Sequence, residues 1–341
     1  MSRRQHHAVD IRERGGVAAM RSTISLPIAL LLTGSLLGAA GAAAAVRWSV
    51  DDRGATVARA SPAPPPIPLT VLTWNVCSKA EWRCPAGGHH RQLAAAIGEA
   101  AWARSADVLL LQEVCADLLP TLESSLGAGW TLYFRQATTA SVRRGTGVTR
   151  PATCGENGGR YGQAVAVRTS RAGVDPGVSP VGGSWLVQLP SPAPKGRKWV
   201  EQRLAVCVRL RSPRLQVCGT HLSTSEQDPG GEIRAAQAAR LAAEVRKGRE
   251  LGYSTIVGGD FNTPPATTVT GGRQLILQPL YDEGVDCDAG RTQATFGAAK
   301  IDYILSGPGI EPLGCQAIPT RLSDHRMLAA HYRLHSEPTG A

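Results

Sequence analysis

Three phenylalanines and six tyrosines are all that the chain carries in 341 residues. That scarcity weakens any reading in which an aromatic face enters a membrane interface. There is no CxxC pair and no Cys/His spacing of the zinc-finger kind, which argues against a structural zinc site. No internal repeat runs through the sequence, so repeat arrays are set aside. Charge is absent from one long stretch, residues 22–46.

Apolar residues make up 43% of the chain, ordinary for a globular protein and too many for wholesale disorder. The length suffices for one large domain or two small ones. A formal net charge of +10 suits acidic partners such as nucleic acid or anionic lipid, and equally suits a basic surface that meets only water.

The stretch "MRSTISLPIALLLTGSLLGAAGAAAAV" starts on the cation Arg21, runs through an apolar centre from Ile24 to Leu37, and reaches small residues near Ala43–Ala45. This is the order of a secretory signal, so residues 1–45 are assigned to export with cleavage. Translation begins at Met1 or at Met20, because the lead before Met20 is unusually long and polar. The alternative is an anchor: residues 22–46 are long enough to span a bilayer and would hold the protein on the outer face of the membrane. Losing this segment removes five Arg and two acids, and the remainder stays basic.

All eight cysteines follow the segment, and an even count behind an export signal predicts disulfides. One pairing can be argued from local pattern. In "LAVCVRLRSPRLQVCGTHL" two alternating strands flank the turn "RSPR", and Cys207 and Cys218 lie equally far from its centre. They should face each other across a hairpin.

Residues 46–68, which hold most of the proline-rich run "ARASPAPPPIPLT" (58–70), read as a linker. One domain is expected over 69–335, with 336–341 as a tail. Within it "LTVLTWNV", "DVLLLQEV", "WTLYFRQA", "GQAVAVRT", "STIVGGD", "KIDYILS" and "MLAAHYRL" read as strands, and "HHRQLAAAIGEAAWARSA" and "GEIRAAQAARLAAEVRKGRELG" as helices. Continuous apolar strands such as "VLLL" imply helix-covered sheets and an α/β class. The Gly-, Thr- and Arg-rich stretch 143–160 and the Gly-, Pro- and Ser-rich stretch around "SPVGGSWLVQLPSPAPKGRK" are expected as surface loops.

Polar residues recur where apolar strands end: Asn75, Glu113, His221, then Asp260 and Asn262 in "IVGGDFN". Asp302 sits in "KID", and Asp324 and His325 precede the last strand. One such residue is ordinarily a turn former or a satisfied histidine. Several at comparable places suggest a shared site, because loops at strand ends converge. Carboxylates gathered in a partly buried site repel one another, and a hard divalent cation removes that cost. A histidine with an Asp partner is held as imidazolium beside a phosphate. The set suits metal-assisted hydrolysis of a phosphoester.

With "TWN", "LQE", "GDFN", "IDYIL" and "SDH" in this order, the sequence resembles the endonuclease/exonuclease/phosphatase superfamily, in particular its deoxyribonuclease I-like branch. The resemblance implies an α+β four-layer sandwich, two packed mixed β-sheets flanked by helices, and a phosphoric ester hydrolase that uses Mg²⁺, with Mn²⁺ or Ca²⁺ as alternatives. By the same resemblance Glu113 is the principal metal ligand with Asn75 in support, and Asp324 is a second metal-side carboxylate. Asp260 handles the attacking water and Asn262 contacts phosphate. His221 helps stabilise phosphate or protonates the leaving oxygen. His325 lies on the scissile phosphate, oriented by Asp302. Relatives carry Gly-Asn-Ala where this chain has "YGQAVAV", so Gln163 replaces an Asn, and its contact to phosphate, like that of Arg160 before it, is the weaker part of the match.

The implied substrate is nucleic acid, gripped by Arg143, Arg144, Arg150, Arg160, Arg197 and Lys198 without reading sequence. The alternative is a secreted phospholipid phosphodiesterase of the sphingomyelinase type, with Trp185, Leu186 and Val187 as its membrane-entering segment unless they form an ordinary core strand. The additional motifs of polyphosphoinositide phosphatases are absent. An inactive binding module would have lost Glu113, Asp260 or His325, and none is lost. No protein partner is implied, and a monomer is expected.

Overall fold

A computed structural model describes residues 65–80, 84–143, 146–155, 159–169, 183–194, 198–289 and 292–335. The expected signal or anchor segment, most of the linker, Arg144, Arg197 and the tail lie outside the described residues, as does the side chain of Arg143. Along the chain come β1 (Ile67–Asn75), α1 (His90–Ala103), β2 (Val108–Cys115), α2 (Leu119–Leu126), β3 (Trp130–Gln136), β4 (Thr138–Arg143), β5 (Thr146–Pro151), β6 (Thr153–Cys154) and β7 (Gly159–Arg168). Next are β8 (Ser184–Gln188), β9 (Val200–Gln202), β10 (Leu204–Leu210), β11 (Leu215–His221), α3 (Glu232–Glu250) and β12 (Ser254–Asp260). The last elements are α4 (Gln278–Tyr281), β13 (Val285–Asp286), β14 (Asp302–Ser306), β15 (Ile310–Ile318) and β16 (Met327–Leu334).

Two sheets form the body. The first has strand order β15-β16-β1-β2-β7-β3 with β6 beside β7, and the second β13-β14-β12-β11-β10-β8. Two neighbouring pairs are parallel, β1 with β2 and β11 with β12. Parallel neighbours need a crossover, and α1 and α3 supply it. Between the sheets Val71, Leu110 and Val165 meet Val206, Val217, Ile256 and Ile304 in one core. On the outer face of the first sheet, Leu93 and Ile97 of α1 and Leu122 of α2 cover Leu72, Trp74 and Leu109. On the outer face of the second, Ala238, Leu241 and Val245 of α3 cover Val257 and Leu305. The layers are therefore helix, sheet, sheet, helix, the expected sandwich. Each fully buried Leu or Ile contributes about 2 kcal/mol of transfer energy.

The paired glycines of "IVGGD" follow from this packing. A Cβ on Gly258 would stand 2.8 Å from Leu110 Cδ1 of the facing sheet, so any side chain there would push the sheets apart. Gly259 has φ +146° and lies tight against the Thr220 carbonyl of β11, a backbone shape that other residues rarely adopt.

Both stretches expected as surface loops contain strands. β5 is exposed at every residue and pairs with β4, which pairs in turn with β9 in a small third sheet. Backbone pairing rather than burial makes this strand, so no apolar alternation marks it in the sequence. "SWLVQ" is β8, at the edge of the second sheet: Val187 enters the core, Trp185 donates to Glu244 Oε1 and lies under Arg209, and Leu186 faces solvent.

The four disulfides are Cys77–Cys84, Cys115–Cys154, Cys207–Cys218 and Cys287–Cys315. Cys207 and Cys218 are direct register partners on β10 and β11, as the hairpin pattern predicts. Among the described residues no helix is long and apolar enough to cross a membrane.

Candidate active site

Register brings the motifs together. In the second sheet His221 of β11 is paired with Asp260 of β12, and Asp260 with Asp302 of β14. One imidazole and two carboxylates thus stand at the same level at the tips of three adjacent strands. In the first sheet Asn75 of β1 is paired with Gln112 of β2, and the next residue is Glu113. Pairing of β2 with β7 shifts between Leu111 and Val114, and Glu113 has φ +57°. This bulge turns the carboxylate away from its strand's alternation. Cys77 and Asn262 also have positive φ, at 46° and 48°. Strained backbone of this kind gathers where a structure enforces a functional geometry.

Asn75 joins the two sheets. Its amide nitrogen donates to Glu113 Oε1 at 3.0 Å and to Asp260 Oδ2 at 3.1 Å, while its Oδ1 accepts the Cys77 N–H at 3.1 Å. The Cys77 contact sets the amide orientation, so Asn75 presents its NH₂ to the carboxylates and keeps its oxygen for the backbone. It separates and satisfies the two acids rather than offering them a third oxygen.

The histidines differ in charge. His325 Nδ1 is 2.9 Å from Asp302 Oδ2, and its Nε2 is 3.6 Å from Asp260 Oδ2. Burial works against a charged ring here, but Asp302 and Asp260 outweigh it and hold the pKa at about 10. His325 is therefore an imidazolium. His221 is pulled well below its ordinary value by burial, by Arg203 and by His325. It is a neutral imidazole, a hydrogen-bond partner rather than a proton donor of useful strength. Asn262 Nδ2 lies 3.0 Å from His221 Nε2 and donates to the Leu222 carbonyl, and its backbone N–H donates to Asp260 Oδ1.

Two acids are costly as they stand. Burial pushes Glu113 up to about 8, the Asn75 hydrogen bond opposing and Asp260 and Glu201 adding to the shift. Asp260 rises to about 6, again chiefly by burial, with His325 opposing and Asp302 adding. Asp302 is fully buried, and its Oδ1 has no partner. Asp260, Asp302 and His325 bring one ligand atom each within 4.8 Å of one another. The protonated His325 ring has no lone pair to offer, so the donors that remain are the carboxylate oxygens of Glu113 and Asp260 on either side of Asn75, a set that fits a hard divalent cation better than a soft one.

Three residues form no hydrogen bond to this group, although the Asp324 carboxylate adds to the charges that raise His325. Asp324 is exposed and accepts from Ser323 Oγ. Gln163 is buried, and its amide donates to the Leu204 carbonyl of β10. Arg160 is exposed, its guanidinium 5.5 Å from the Phe134 ring. Sequence reading passed over the residues that hold the site. Trp74 Nε1 donates to the His325 carbonyl, and Ser323 Oγ links the Asn75 carbonyl to the His325 N–H. Thr295 Oγ1 accepts the N–H groups of Ile301 and Asp302. Trp74 and Ser323 lay inside quoted motifs, whereas Thr295 had no signal of its own. Buried Arg203, paired with Glu201 at 3.1 Å, was missed as one arginine among many.

The family model described as "Endonuclease/Exonuclease/phosphatase family" matches residues 72–325. No curated protein matches the sequence. Among solved structures, an endonuclease/exonuclease/phosphatase from Beutenbergia cavernae is 21% identical with a TM-score of 0.56, covering 80% of this chain and 73% of that one. The human Nocturnin catalytic domain with bound sulfate is 19% identical with a TM-score of 0.54, covering 78% and 94%. ANGEL2, described as a 2',3'-cyclic phosphatase in complex with adenosine-2',3'-vanadate, is 18% identical with a TM-score of 0.51, covering 79% and 96%.

Proposed function

The chain belongs to the endonuclease/exonuclease/phosphatase family and is a phosphoric ester hydrolase, and on that premise we propose that it is a secreted, divalent-metal-dependent nuclease. The observation that carries this is the pairing of buried Asp260 and partly buried Glu113 across one Asn75 amide, with a charged His325 and a neutral His221 alongside. Glu113 would hold Mg²⁺, with Asn75 ordering its carboxylate; Mn²⁺ and Ca²⁺ are alternatives. Asp324, exposed one residue before His325, would be a second metal-side carboxylate. When bound, the cation supplies positive charge for the buried carboxylates and for phosphate oxygens.

The protein's own groups divide the remaining work. Asp260, ionised above about pH 6, accepts the proton of the attacking water. The His325 imidazolium, fixed by Asp302, faces the charge that builds on the phosphate. Neutral His221 and the Asn262 amide orient the phosphate and the leaving oxygen. Arg160 and Arg150 are exposed cations for the backbone of a nucleic acid. ANGEL2's adenosine-2',3'-vanadate supports a nucleotide-type ester. Four disulfides support an extracellular setting for the exported chain. The phospholipid alternative would need an entry segment other than Trp185, which is engaged by Glu244 and Arg209.

The test uses the oxidised, purified protein with Mg²⁺ on supercoiled plasmid and, in parallel, on sphingomyelin vesicles. Plasmid nicking that chelator abolishes supports the nuclease. Lipid hydrolysis without nicking would replace it with the phospholipid reading, and turnover of neither would remove both substrates.

A further inference from the structure

The candidate active site stands where β1, β2, β11 and β12 finish, so the starts of these strands mark the opposite end of the domain. Ile67 opens β1 there, about 25 Å from Asn75 for a strand of nine residues. Everything before β1 therefore joins the domain at the end remote from the chemistry. The second sheet reaches the same place. Leu334 pairs with Ile67, the His335 N–H donates to the Gly309 carbonyl, and a Cβ on Gly309 would lie 2.8 Å from Ser254 Oγ. The Ser254 N–H donates in turn to the carbonyl of Arg214, in the turn between β10 and β11.

Cations collect at this end. Arg211, Arg214 and Lys247 are exposed. The Arg214 guanidinium donates to the backbone carbonyls of Leu251 and Gly252, which hold it without cancelling its charge. The carboxylate of Glu283 serves both Arg246 and Arg249, at 2.7 and 2.8 Å. Beside them, at the C-terminus of α3, Leu251 is 44% exposed, although burying it would have favoured folding.

We propose that this end is a docking face for anionic lipid headgroups, which rests the domain on a membrane with its active site turned to the medium. Each Lys or Arg near such a surface multiplies binding about fivefold. An apolar side chain set among the cations adds contact with the interface. Lipid is favoured over another polyanion by what joins the domain here, the chain that carries the uncharged stretch 22–46. Retained, that stretch would bring the face to the membrane directly; removed, the cations would do so more weakly. Docking here is indifferent to which phosphoester is cut.

The experiment measures co-sedimentation of the full, oxidised protein with phosphatidylcholine vesicles, pure or mixed with phosphatidylglycerol. The ratio of the two affinities cancels whatever residues 22–46 contribute by insertion. Arg211→Gln with Lys247→Gln should lower that ratio by roughly 30-fold, and Arg211→Glu with Lys247→Glu by more. Arg150→Gln with Arg160→Gln, at the active-site end, should leave it unchanged. All four positions are exposed, so these substitutions test charge and not folding. A ratio near one for wild type overturns the docking face. So does an equal fall in both pairs, which reports net charge alone, or a fall confined to Arg150 and Arg160, which puts the catalytic end on the lipid. If the Arg211 and Lys247 variants instead lose affinity for duplex DNA in chelator and keep their vesicle binding, the face is a nucleic-acid exosite and the lipid proposal falls.

Discussion

Replacing Glu113 with Gln should stabilise the metal-free protein while abolishing its response to metal. Burial lifts the Glu113 carboxyl from an ordinary value of 4.5 to about 8. Between those values the folded chain retains a proton that the unfolded chain has released, so unfolding is increasingly favoured as pH rises from 4.5 to 8. Each pH unit in that window is worth about 1.4 kcal/mol. The penalty is therefore close to zero at pH 4.5 and about 3 kcal/mol at pH 7. Gln keeps the shape and can still accept from Asn75, but it never ionises. Urea unfolding of wild type and Glu113→Gln, in chelator at pH 4.5 and pH 7, reads the difference directly. Glu113→Gln should match wild type at the lower pH and exceed it by about 3 kcal/mol at the higher one. Mg²⁺ should then raise the wild-type midpoint by mass action and leave the variant unmoved. Equal stabilities at pH 7, or equal responses to Mg²⁺, would refute both the buried-acid argument and the place of Glu113 in the metal site.

Asp302→Asn should cut kcat by two orders of magnitude or more and move the alkaline limb of the pH–rate profile downward, because Asp302 is among the charges that keep His325 protonated to about pH 10; an unmoved limb would count against the pair. Removing the Cys115–Cys154 bond with two serines opens a sequence separation of 39 residues and should cost about 4 kcal/mol in denaturant unfolding under oxidising conditions. Because Cys115 follows Glu113 by two residues, the same variant should bind Mg²⁺ more weakly by calorimetry; unchanged affinity would separate the staple from the site. Arg160→Ala should weaken plasmid binding and reduce the slope of log affinity against log salt by about one, whereas an unchanged slope would place Arg160 away from the backbone.

His325→Ala is a poorer test than the motif alone suggests. On a free strand end the change would touch only chemistry, but Asp302 is fully buried and His325 is its side-chain partner. Removing the ring would leave a carboxylate uncompensated in the core, which costs about 3–5 kcal/mol. Asp302→Asn avoids this and keeps the question on the charge.

Local rules carried much of the result. Continuous apolar runs place β1, β2 and β12, which are buried on both faces, and helical composition places α1 and α3. The Cys207–Cys218 bond follows from one hairpin, and the polar groups at strand ends are visible as interruptions of apolar runs. Local pattern thus yields the list of chemical groups and the class of fold. Their arrangement came only from contacts between distant residues. Asn75 and Asp260 are 185 positions apart, and nothing local says that one amide will hold two acids or turn its oxygen to the Cys77 N–H. Strand register decided that His221, Asp260 and Asp302 stand side by side, while Asp324 faces solvent and Gln163 bonds between the sheets. Burial then set the charges, neutral on His221 and positive on His325, because desolvation and neighbouring ions act through space and are indifferent to order along the chain.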